Sequence, residues 1–71
     1  MNSTNLLSVE LTKKIEFEKN GSKHFAQLGK VKNQDEWHLY INNERHLVTK
    51  ITYNKCFHNE LEMKEIVSSY L

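Results

Sequence analysis

From residue 9 to residue 19, apolar and polar residues alternate one by one. Val9, Leu11, Ile15 and Phe17 share one parity, continued by Lys13 and Lys19. Glu10, Thr12, Lys14, Glu16 and Glu18 share the other. A period of two predicts a strand with one face buried. Asn20-Gly21 follows, the pair best suited to the two φ > 0 positions of a type I′ turn. A two-residue turn there sets a hairpin register. Glu18 faces Lys23, Phe17 faces His24, Ile15 faces Ala26 and Lys13 faces Leu28. The Glu18–Lys23 pair is a favourable cross-strand contact in that register. Leu11, Ile15, Phe17, Ala26 and Leu28 then share one face, and Phe25 lies on the other, opposite Glu16.

Asn33-Gln34-Asp35 reads as a polar turn. Residues 36–42 read as a third strand, with Trp37, Leu39 and Ile41 on one face and His38 and Tyr40 on the other. After a turn at Asn42-Asn43-Glu44, a fourth strand is expected over residues 45–53. Val48 joins Trp37, Leu39 and Ile41, while Leu47, Ile51 and Tyr53 join Tyr40. Residues 54–57 read as a connector. Asn59 is a helix N-cap candidate, with Glu62 three residues on to complete a capping box. Met63, Ile66, Val67, Tyr70 and Leu71 recur at 0, +3, +4, +7 and +8, the spacing of a helix that buries one face. Leu61 lies away from that stripe.

The expected fold class is α+β: a four-stranded antiparallel sheet of two hairpins, a β-meander, followed by one C-terminal amphipathic helix. The expected organisation is a single domain, with a loose N-terminus over residues 1–8, the sheet over 9–53 and the helix over 59–71.

One helix covers one face of such a sheet. That face should bear Leu11, Ile15, Phe17, Leu28, Trp37, Leu39, Ile41 and Val48. Phe25, Tyr40, Leu47, Ile51 and Tyr53 are then left on the second face, where a solvent-facing strand would be polar. A strongly curled sheet or small barrel would conceal them. So would an N-terminal segment carrying Leu6 and Leu7. Otherwise they form a surface for a partner or for self-association, since aromatics are enriched at interfaces.

Composition bounds the setting. The chain has 71 residues, 38% hydrophobic and 27% charged, with no proline and two glycines, which suits one small globular domain and excludes a disordered one. Its single cysteine is no disulfide framework and points to a reducing cytoplasm. No signal peptide and no apolar run of about 20 residues is present, so no membrane partner is expected. The abundance of Lys, Asn, Glu and Ile suits an AT-rich bacterial or phage genome.

Net charge is +1, unevenly spread. Between positions 13 and 32, six lysines oppose Glu16 and Glu18; beyond position 59, Glu60, Glu62 and Glu65 oppose Lys64. Solvated strand and helix faces account for such charges. Steering of a partner is the functional alternative.

Candidate chemistry is sparse. Cys56-x-His58 supplies two ligands where zinc wants four, so neither a metal nor a cofactor is expected. By parity, His38 and His46 lie on opposite faces. His24, His46, Arg45 and Lys50 are the residue types of a small ribonuclease-like acid–base site, but their spacing does not assemble the roles. Lys14, Lys23, Lys30 and Lys32, with Phe25 and Tyr40 for stacking, are candidate contacts to single-stranded nucleic acid. The near-zero net charge opposes that reading. The leading expectation is a non-enzymatic binding or regulatory protein that contacts another protein or itself as a homodimer. A bacterial, phage or mobile-element accessory or inhibitory factor would suit its size.

Overall fold

The computed structural model describes residues 9–71. The expected loose N-terminus, with Leu6 and Leu7, lies outside the described residues. Four strands, β1 (Val9–Lys19), β2 (Ser22–Val31), β3 (Trp37–Ile41) and β4 (Glu44–Val48), precede two helices, α1 (Lys50–His58) and α2 (Glu60–Tyr70). The strands form one antiparallel sheet in the order β1-β2-β3-β4. Among the described residues β1 and β4 are its edges, so the sheet is open.

Both tight hairpin turns use left-handed residues. Asn20 and Gly21 have φ of 54° and 81°, and Asn42 and Asn43 have 51° and 71°. Two consecutive positive φ values are the type I′ signature, whose twist matches that of the flanking strands. The first turn fixes Glu18 opposite Lys23, Phe17 opposite His24, Glu16 opposite Phe25 and Ile15 opposite Ala26. The second pairs Ile41 with Glu44, and Trp37 with Val48.

The expected pairing of Lys13 with Leu28 does not hold. Leu11 pairs with Gly29 and Lys14 with Gln27, so Thr12 and Lys13 both stand against Leu28. This is a β-bulge, and one extra residue reverses the faces of everything N-terminal to it. Val9 and Leu11 therefore leave the face of Ile15 and Phe17. Both bulge residues hold the helical layer. The Thr12 and Tyr53 hydroxyls lie 3.1 Å apart. Lys13 Nζ donates to the carbonyls of Cys56 at 3.1 Å and Phe57 at 3.2 Å.

The fourth strand ends at Val48, not at residue 53, and the C-terminal region holds two helices rather than one. Thr49 caps α1, its Oγ1 accepting from the Thr52 amide at 3.1 Å. Tyr53 and Cys56 then face the core one turn apart. Asn59 ends one helix and begins the next. Its amide donates to the Lys55 carbonyl at 3.1 Å, and its Oδ1 accepts from the Glu62 amide at 3.1 Å. The N-cap is as expected. Because the Asn59 amide is engaged by α1, the reciprocal half of a capping box is replaced by a helix C-cap.

Ile15, Ala26, Leu28, Leu39, Ile41, Tyr53, Cys56, Met63 and Val67 form one buried cluster. Sheet and helices thus share a single core, with both helices on the face of Ile15 and Leu39. β1 also closes the second helix: Lys19 Nζ donates to the Ser68 carbonyl at 3.0 Å. A cation at a helix C-terminus opposes the negative end of its dipole. Lys13 and Lys19, two of the six clustered lysines, therefore have structural partners. Among the described residues, no helix is long and apolar enough to cross a membrane.

Candidate functional site

The register places side chains on the sheet face opposite the helices in rows running across the strands. One row is Leu11, Gly29, His38 and Leu47. The next is Lys14, Gln27, Tyr40 and Arg45. Beyond these stand Val9 beside Val31 at one end, and Glu16 beside Phe25 and Glu18 beside Lys23 at the other. Neither helix covers this face. Leu11 is 54% exposed, Leu47 65% and Phe25 40%. Val9, Leu11, Lys14, Phe25, Gln27 and Tyr40, with the Asn42-Asn43 turn, line a shallow cavity of about 620 Å³.

A polar relay floors the apolar row. His38 is 1% exposed. Its Nε2 lies 2.7 Å from Glu36 Oε2, and its Nδ1 lies 2.9 Å from the Tyr40 hydroxyl. A carboxylate only accepts, so Nε2 carries a hydrogen toward Glu36, while Nδ1 meets the Tyr40 hydroxyl. A buried imidazole with both nitrogens engaged is a satisfied structural group. Gly29 makes it feasible. A Cβ there would stand 2.9 Å from Tyr40 Cε2 and 3.0 Å from Val9 Cγ1, so only a glycine lets the Tyr40 ring lie across the strand.

No protein-family model matches the chain, and no curated protein or solved structure matches it.

Of the residues expected on the second face, Phe25, Tyr40 and Leu47 are there. Ile51 and Tyr53 are not, because the strand ends before them. Ile51 is exposed on α1, and Tyr53 is buried beneath the helical layer. Val9 and Leu11 take their place through the bulge, for which no short-range sequence signal exists.

The candidate nucleic-acid lysines do not converge. Lys14 and Lys23 are on the open face, and Lys23 is paired with Glu16 at 3.9 Å. Lys30 lies over the Trp37 ring, 5.2 Å from its centroid, on the helical side. Lys32 is in the β2–β3 turn. Lys14 itself sits over the Phe25 ring at 5.9 Å, across the surface a base would stack on.

The ribonuclease-like set is also divided. His46 packs on Tyr70, ring centroids 4.7 Å apart, on the helical side, while Arg45 is on the open face. His24 lies tilted against Phe17, ring centroids 5.8 Å apart, and meets Asn42 Nδ2 at 3.0 Å. Cys56 is buried. Burial, followed by the nearby Glu62 charge and opposed by Lys13, raises its pKa above the ordinary 9.0. Among the described residues, no group of three or more His, Cys, Asp and Glu is placed to hold a metal.

Proposed function

We propose that the protein is a small non-enzymatic binding protein acting through protein–protein contact on the helix-free sheet face. One observation carries this reading. Leu11 and Leu47, on opposite edge strands but in the same row, are both more than half exposed, at 54% and 65%. Leucines exposed on both edges of one sheet face have no solvent-facing role and mark an interaction surface. The cytoplasmic setting belongs to the same proposal and rests on the single cysteine.

Single-stranded nucleic acid is the weaker reading. Its candidate lysines point to different sides of the molecule, and Lys14 stands over the Phe25 ring.

The test is photo-cross-linking in cells of the native host. A photoreactive residue at position 47 is expected to give a protein adduct, with a partner or with a second copy. The same residue at position 61, on the outer side of α2 where Leu61 is also exposed, should give none. Equal adducts at both positions, or none at 47, would refute the assignment of this face.

A further inference from the structure

We infer that the occupant of this face is an acidic amphipathic helix of a partner protein, lying across the strands. The inference rests on the protein-binding reading and adds the partner's chemistry. Six charged residues belong to the open face: Lys14, Glu16, Glu18, Lys23 and Arg45 by register, and Glu36, whose carboxylate is engaged by His38. Glu16 pairs with Lys23, and Glu18 stands opposite Lys23 at the hairpin end. Lys14 and Arg45 are exposed and enter no ion pair among the described residues. Residues 1–8 contain no Asp or Glu to neutralise them.

These two cations occupy opposite ends of one row, on β1 and β4. Three inter-strand spacings separate them, about 14 Å. Between them are only Gln27 and Tyr40, and beside them runs the Leu11–Leu47 row.

An apolar row flanked along one side by a row with a cation at each end selects an apolar ligand that carries negative charge along one flank. A helix about 10 Å across covers the leucine row and reaches the cationic row, since rows two residues apart are roughly 7 Å from each other. The 14 Å span equals about nine to ten helical residues, so carboxylates some two and a half turns apart reach Lys14 and Arg45 together. A second copy packed face to face, its axis along the strands, sets Lys14 of one protomer against Arg45 of its partner, which is repulsive. In that packing the charges oppose self-association.

The test uses two synthetic amphipathic helical peptides that share a leucine stripe, one flanked by glutamates and the other by lysines. Fluorescence anisotropy at low salt is expected to show the glutamate peptide binding about tenfold more tightly, the effect of two exposed ion pairs. The Lys14→Glu/Arg45→Glu variant should reverse that preference. Leu11→Asp/Leu47→Asp should abolish binding of both, with thermal melts verifying that each variant folds.

Equal affinity for the two peptides overturns the inference but leaves the protein-binding reading standing. So does failure of both peptides while position 47 still cross-links to a protein. Displacement of the glutamate peptide by single-stranded oligothymidylate, or a dimer by sedimentation that Leu47→Asp dissolves, also overturns it.

Discussion

Tyr40 lies across Gly29, so closely that a Cβ on the glycine would stand 2.9 Å from Cε2 of the ring. The contact lays the phenol along the sheet and brings its hydroxyl to His38 Nδ1. Gly29→Ala must push aside a ring anchored by that bond, as well as Val9. We expect a loss of roughly 1–3 kcal/mol, the usual cost of overpacking. Urea unfolding measures it. A Gly29→Ala protein as stable as the parent would mean that the ring moves freely and that the His38–Tyr40 bond holds nothing in place.

Lys13 and Lys14 are neighbours with different duties. Lys13 reaches two carbonyls at the end of α1, while Lys14 stands in solvent on the other face. Lys13→Met should therefore cost about 0.5–1 kcal/mol, the scale of a cation at a helix C-terminus. Lys14→Met should stay within about 0.5 kcal/mol of the parent, as exposed substitutions do. Paired thermal melts distinguish them, and equal losses would remove the bulge's role in seating Lys13.

The hydroxyls of Thr12 and Tyr53 connect the bulge to α1. Tyr53→Phe keeps the buried ring and deletes the bond. We expect a loss of about 1 kcal/mol, typical of one partly buried hydrogen bond. Thr12→Val should cost at least as much, since its hydroxyl also donates to the Leu28 carbonyl at 3.4 Å, and the double variant should cost less than the sum of the two, because both remove the Thr12–Tyr53 bond. Strict additivity in that cycle would show that the two groups do not interact.

Cys56 gives a pH dependence with a definite sign. Its pKa is raised in the folded protein, by burial first and by Glu62 second. The folded state then holds the thiol proton more tightly than the unfolded chain. Its contribution to stability is complete below the ordinary pKa of 9.0 and is lost as pH rises through the folded value. Stability should fall above about pH 9 with a slope that is shallower in Cys56→Ala. The folded protein should react slowly with maleimide at pH 8 and quickly in urea, because the thiolate is the nucleophile. Rapid labelling of the folded protein would contradict the burial.

Features that rest on neighbours in the chain were legible from residue order. Asn20-Gly21 dictates a type I′ turn, and a two-residue turn leaves one register, so the pairs from Glu18–Lys23 back to Ile15–Ala26 follow. Asn59 with its cap on Glu62, and the helical stripe through Met63 and Val67, are equally local. The bulge, the first helix and hence the membership of the open face depend on contacts between distant segments. Val9 and Leu11 continue the alternation of Ile15 and Phe17, and nothing in that pattern reveals an extra residue. The bulge brings Thr12 and Lys13 to α1, a partner some forty positions away. Val48, Thr49, Ile51 and Thr52 favour a strand by propensity, yet Tyr53 and Cys56 reach the core only if the chain coils after Thr49. Burial of those two side chains against the sheet outweighs a preference of under a kilocalorie per residue. The row of Lys14 and Arg45 flanking the exposed leucines exists only once four strands, far apart in sequence, lie side by side.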